Sequence, residues 1–143
     1  MSVAQILAEK GTAVLTIEGH STLADAVRIM TENRIGAVVV IGADGQVQGI
    51  LSERDVVRAV GQSGAEGLRQ AVEERMTRKV ATCTPSAVLH DVMAMMTEGR
   101  FRHVPVVENG RLGGMVSIGD IVKHRLAQME AETQALKDYI GAA

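Results

Sequence analysis

Apolar residues along this chain fall into two alternating rhythms. Leu23, Ala26, Val27 and Met30 are spaced i, i+3, i+4, i+7, which predicts one buried stripe on an amphipathic helix, and Leu89, Val92, Met93 and Met96 repeat that spacing. Between and after these stripes lie short β-branched runs, Ala37–Ile41 and Val104–Val107, of a length and composition that predict buried strands. Asp44-Gly45 and Asn109-Gly110 then signal hairpin turns, with return strands at Val47–Leu51 and Leu112–Val116. Short leading strands are expected at Val14–Thr16 and Val80–Thr82, first helices from near Thr22 and Ser86, and second helices from near Glu53 and Ile118.

The two rhythms are one pattern written twice. At an offset of 66, Thr12–Ile41 aligned with Arg78–Val107 gives ten identities in thirty positions, including Thr16/Thr82, Asp25/Asp91 and Arg34/Arg100. One residue is then lost in a turn, and at an offset of 65 Gly45, Gly49, Ser52, Asp55 and Val57 match Gly110, Gly114, Ser117, Asp120 and Val122. Each copy is a β-α-β-β-α unit with one apolar sheet face it cannot bury alone. The expected fold is therefore α/β of the α+β kind, with two repeats packed sheet to sheet. Residues 1–66 are assigned to the first repeat with an N-terminal helix and linker, 67–125 to the second, and 126–143 to a helical extension. Ser2 is expected to cap a short helix at Val3–Glu9 ended by Gly11, and Gly61–Gly67 reads as a flexible linker. The last helix is expected from about Asp120 to Tyr139. Its Val122, Leu126, Met129, Thr133, Leu136 and Ile140 form a seam that either docks on a partner or folds back on its own domain.

Composition narrows the function. Of 143 residues 46% are apolar, yet Phe101 and Tyr139 are the only aromatics, so readers that stack bases on rings are excluded. A net charge of −2 gives no broad basic footprint for nucleic acid. Cys83 stands alone, which excludes an internal disulfide or a cysteine-based zinc site, and it has no sequence-near His to activate it. His20, His90, His103 and His124 lack metal-ligand spacing, and Met93, Met95 and Met96 read as core. No apolar run is long enough to span a bilayer and no signal peptide opens the chain, so a cytoplasmic location is expected.

Chemistry concentrates in Gly49-Ile-Leu-Ser52-Glu-Arg-Asp55 and its copy Gly114-Met-Val-Ser117-Ile-Gly-Asp120. Each places a hydroxyl and an acid around a helix start, where exposed N–H groups favour an anion and Asp can accept from a ribose cis-diol. Together these point to a nucleotide. The same Ser-x-x-Asp spacing is also a capping box that merely satisfies helix N–H groups, as Thr22-x-x-Asp25 is read here. Arg54 and Lys123, near the helix starts, are secondary candidates for phosphate or else solvated charges.

The residues Thr22-Leu-Ala-Asp25, Arg34-Ile-Gly-Ala-Val-Val, Gly49 to Asp55, and their copies through Arg100-Phe-Arg-His-Val-Pro105 and Gly114 to Asp120, resemble a tandem pair of CBS domains (a Bateman module) over residues 3–125. The tail is similar to that of stand-alone single-pair proteins of bacteria and plant organelles. The resemblance implies two pseudo-symmetric clefts for an adenine ligand: AMP first, with ADP, ATP, NAD or S-adenosylmethionine behind it. Because no acid–base pair, nucleophile or metal set accompanies the motif, neither catalysis nor a catalytic cofactor is expected. The resemblance also implies a homodimer, and an unidentified protein partner is expected. It places ribose-binding acids at Asp55 and Asp120, hydroxyls at Ser52 and Ser117, and adenine-pocket edges at Thr16, Val80, Thr82 and Cys83. Arg102 and His103 would cross to the phosphates of the Asp55 cleft. Gly36 and Ala37 match them on the other side, so the Asp120 cleft would lack a cation from that source. The competing expectations are an interaction protein whose Ser/Asp pairs are only caps, and a thioredoxin-type redox regulator.

Overall fold

A computed structural model describes residues 1–142. Helix α1 spans Val3–Lys10, followed by β1 (Thr16–Ile17), α2 (Leu23–Asn33), β2 (Ala37–Ile41), β3 (Val47–Ser52) and α3 (Glu53–Ser63). A 3₁₀ segment, Gly64–Arg69, and a one-turn helix α4 (Val72–Arg75) lead to α5 (Leu89–Gly99), β4 (His103–Glu108), β5 (Arg111–Ser117) and α6 (Ile118–Ala142). The fold is α+β with two small sheets, as the repeat predicts. Parallel β1 and antiparallel β3 flank β2, so Ala37–Val40 are buried in unbroken sequence. The helix stripes are borne out: Leu23, Ala26 and Met30 on α2, and Leu89, Val92 and Met96 on α5, are buried. Asn109 and Gly110 both take positive φ, 54° and 77°, the left-handed pair that a two-residue hairpin needs between Glu108 and Arg111.

Three local expectations are corrected, and one open alternative is decided. Gly61–Gly67 is helical rather than a flexible linker: α3 runs to Ser63, and buried Gly67 lies so close to Ala59 that a Cβ would stand 2.6 Å from its carbonyl oxygen. The second repeat has no leading strand at Val80–Thr82, only a bridge from Cys83 to Val106 at the position matching Ile17 to Val40. The reason is Pro105. In the first repeat the Val39 amide donates to the Leu15 carbonyl at 3.4 Å, and Pro105, its counterpart, has no N–H to give. Helix α5 starts after Val88 rather than at Ser86, whose hydroxyl lies 3.1 Å from that of Thr84. Finally, α6 does not fold back. Ile121 and His124 are its buried residues, while Val122, Leu126, Met129, Leu136 and Ile140 are 50–65% exposed.

The two halves exchange their leading segments. Val3, Ile6 and Leu7 of α1 belong to the core of the second repeat, with Val92, Met96, Val104 and Val116. Val72 and Met76 belong to the core of the first, with Leu23, Met30, Val38 and Leu51. The hydrogen bonds match pair by pair. Val3 N–H donates to Ala87 O at 2.9 Å as Val72 N–H donates to Ser21 O at 2.7 Å, and Ala4 donates to Pro85 as Glu73 donates to Gly19. Each fully buried aliphatic side chain contributes about 1.5–3 kcal/mol, so neither half keeps its core without the segment supplied from outside it.

The motif glycines sit where these segments land. A Cβ on Gly49 would stand 2.6 Å from Met76 Sδ and 2.9 Å from the Thr77 carbonyl oxygen; on Gly114 it would stand 2.8 Å from Leu7 Cδ2. Gly49→Ala is expected to destabilise the chain by about 1–3 kcal/mol, and Gly114→Ala by less, because Leu7 can rotate whereas the Thr77 backbone, hydrogen-bonded to Ile50 in both directions, cannot retreat. Urea denaturation of the two variants checks this, and a larger loss at Gly114 would refute it.

Candidate ligand site at the two helix starts

Both Ser/Asp pairs lie where a strand runs directly into a helix, β3 into α3 and β5 into α6. Ser52 N–H and its hydroxyl both donate to Asp55 Oδ2, at 2.9 and 3.1 Å. In the copy, Ser117 N–H donates to Asp120 Oδ2 at 2.8 Å and Asp120 N–H donates to Ser117 Oγ at 3.2 Å. Thr22 and Asp25 make the same reciprocal pair at 3.1 and 3.2 Å. The capping geometry is therefore formed at all three places. The exposed N–H groups expected at each helix start are fewer than the sequence implies: Glu53 N–H donates to Gly36 O and Ile118 N–H to Arg102 O. These bonds hold the start of β2 and the start of β4 against the neighbouring helix starts.

The candidates differ in placement. Asp55 is buried and Asp120 half-buried, with Ser52 and Ser117 partly accessible above them. Arg102 is exposed at the start of β4, next to His103, which pairs in register with Ser117. Burial pushes the His103 imidazole below its ordinary pKa. Lys10 adds to that shift, Asp120 and Glu53 oppose it, and Arg102 reinforces it. The charged groups acting on His103 thus come from both repeats and from α1, including Glu53 at the start of α3 and Asp120 in the first turn of α6. Arg54 and Lys123 are exposed, and among the described residues neither makes an ion pair. Thr16 lines an open cleft of about 580 Å³ with Thr12, Val14, Ile41, Arg111 and Leu112; neither Ser52 and Asp55 nor Ser117 and Asp120 line it. Cys83 is buried, and desolvation pushes its thiol up to about 11. Val80 is half-buried and Thr82 exposed on the irregular stretch leading to it.

Three charged groups at the site escaped the sequence reading. Lys10 Nζ lies 2.6 Å from Asp120 Oδ2, a contact spanning 110 residues, and Glu9 Oε2 lies 3.2 Å from Nε2 of buried His124 one turn further along α6. Glu53 lies near His103. Partial burial works against the Asp120 charge, but the Lys10 ammonium and the Ser117 amide outweigh it and hold that carboxyl below its usual value. No local sequence signal marks Lys10, because its partner is chosen by where α1 docks.

The CBS-domain family model matches residues 4–62 and again 71–127. This chain belongs to the CBS-domain family. The mitochondrial CBS domain-containing protein CBSX3 of Arabidopsis thaliana is 33% identical over 97% of this chain and 71% of its own length. The CBS-domain protein ATU1752 of Agrobacterium tumefaciens superposes with a TM-score of 0.85 at 46% identity, covering 87% of this chain and 99% of that one. The CBS pair of MJ0100, solved with 5′-methylthioadenosine and S-adenosyl-L-methionine, superposes at 0.77 with 25% identity over 86% of this chain and 98% of its own. Two stacked CBS repeats explain why the helix starts recur in register. No described helix of this CBS pair is long and apolar enough to cross a membrane.

Because the folded state holds His103 below its unfolded value of about 6.5, protonation favours unfolding. Its contribution is fully favourable above that value and declines as the pH falls below it toward the lower folded pKa. His103→Gln is expected to flatten the decline in stability as the pH falls from neutral through and below about 6.5. Denaturation midpoints across that window test this; an unchanged slope in the variant would assign the acid sensitivity elsewhere.

Proposed function

We propose that this CBS pair is a cytoplasmic, non-catalytic sensor that binds an adenine nucleotide, AMP first, between its repeats and transmits occupancy to a partner or to its own assembly. The observation that carries the reading is that the basic start of β4 is paired with Ser117 and hydrogen-bonded to the start of α6, while Glu53, at the start of α3 in the other repeat, acts on the same His103. Both bonds to Asp55 fall on Oδ2, and a carboxylate carries lone pairs on both oxygens, so a ribose hydroxyl could be accepted without dismantling the cap. Arg102 supplies a planar, bidentate donor for phosphate. Among the related structures, the MJ0100 pair binds adenosine-derived ligands, which supports an adenine base here. ADP, ATP, NAD and S-adenosylmethionine share the recognised half and remain candidates of the same class.

Self-association along α6 belongs to the same proposal. The accessible surface is 9093 Å², about 2,000 Å² above the roughly 7,000 Å² of a compact monomer of 15.2 kDa. Part of that surplus is the apolar stripe Val122–Leu126–Met129–Leu136–Ile140, and Val57 and Val60 of α3 are exposed as well. The reading in which the Ser/Asp pairs are caps alone draws on the formed capping boxes, and ligand binding decides between the two. Cys83 is a poor redox handle, since burial keeps its thiol protonated near neutral pH.

AMP at 100 times its Kd is expected to stabilise the chain by about 2.7 kcal/mol in a thermal-shift series, and silence toward AMP, ATP, NAD and S-adenosylmethionine at millimolar levels would refute the sensor reading. Calorimetry should further show Asp55→Ala and Arg102→Ala weakening AMP more than Asp120→Ala; the reverse order would misassign the clefts.

A further inference from the structure

Lys10 is held in place by more than its charge. It ends α1, whose Val3, Ile6 and Leu7 are locked in the second repeat's core and whose first amides are tied to Ala87 and Pro85. Its ammonium reaches Asp120 Oδ2 at 2.6 Å while the preceding residue, Glu9, pairs with His124 one turn along α6. The end of α1 is thereby strapped across the first two turns of α6, on the carboxylate that a ribose diol would need.

The first repeat has no such strap, although its sequence has a counterpart. Docking equates Val72 with Val3 and Met76 with Leu7, which places Lys79 where Lys10 stands. But α4 stops after four residues and Met76 is already extended, so Lys79 leaves the helix path. Among the described residues Asp55 makes no ion pair.

We propose that Lys10 is a built-in latch on the Asp120 cleft: a diol that engages both carboxylate oxygens must take Oδ2 from the ammonium, whereas at Asp55 only the rotatable Ser52 hydroxyl has to yield, so α1 makes the two clefts unequal in affinity. This rests on the reading of Asp120 as a ribose-binding acid. Displacement of a partly shielded ion pair of this kind opposes binding by about two- to five-fold.

Adenosine is the probe, since it carries the diol and no charge of its own. Calorimetric titration of Asp55→Ala, in which the Asp120 cleft is the one left intact, should give an adenosine affinity that rises about two- to five-fold when Lys10→Met is added. 2′-Deoxyadenosine, lacking the diol, should show no such gain. An unaltered protein provides the same test if Asp55→Ala folds poorly. Screening between about 0.01 and 1 M salt loosens the pair, so adenosine should bind the weaker cleft more tightly at high salt, with the gain absent in Lys10→Met. Equal or weaker adenosine binding in Lys10→Met, with binding itself retained, overturns the latch and leaves the sensor reading standing. Adenosine and AMP binding to none of the proteins overturns the sensor reading, and the latch with it.

Discussion

Everything in this molecule depends on the reciprocal seating of Leu7 against Gly114 and of Met76 and Thr77 against Gly49. A β-α-β-β-α unit leaves one apolar sheet face open, and each repeat here closes its core with a segment that precedes the other repeat. Burial of those aliphatic side chains drives the exchange, while paired backbone bonds set its register. Since the segments cross, neither half is a folding unit on its own. The contact also fixes the geometry at the start of α3 and α6, because the motif glycine sits on the strand that feeds each helix.

The exchange has an electrostatic consequence. Whatever emerges from the end of each seated segment arrives beside a helix start that already carries an acid. In the second repeat α1 is long enough to deliver Lys10 as a helical side chain, whereas in the first the corresponding helix lasts one turn. A sequence symmetric in its Ser and Asp residues thus folds into a site that is asymmetric in charge. Arg102 and His103 lie on one side of the pseudo-symmetry with Gly36 and Ala37 on the other, and Lys10 adds a second asymmetry from outside the repeat. The lowered His103 pKa follows from the same crowding, because burial and the Lys10 ammonium outweigh the two acids.

Much of the architecture was legible because its signals are local. Helical stripes at Leu23 and Leu89, the β-branched run at Ala37–Ile41, and the Asn109-Gly110 turn each depend on neighbours within a few residues, and all formed as read. The misreadings occur where a local rule met a distant one. Gly61–Gly67 has the composition of a linker, but packing against Ala59 and the first core makes it helical. Val80–Thr82 has strand composition, but the strand it would join presents Pro105 instead of an amide donor. The Ser/Asp pairs stand at the two helix starts as read, yet their spacing is shared by a cap and a ligand site, and the folded chain shows bonds within each pair.

By itself, then, the sequence determined that two equivalent α+β units exist, where the amphipathic helices and the paired hairpin strands lie, and which hydroxyls and acids stand at the helix starts. Periodicity and repetition are enough for that, since both are written in neighbouring residues. Only the tertiary structure decided that the leading segments cross, that α6 projects with its apolar stripe uncovered, and that Lys10 meets Asp120 across 110 residues. Those outcomes arise from buried surface summed over the whole chain, a quantity that no window of sequence contains.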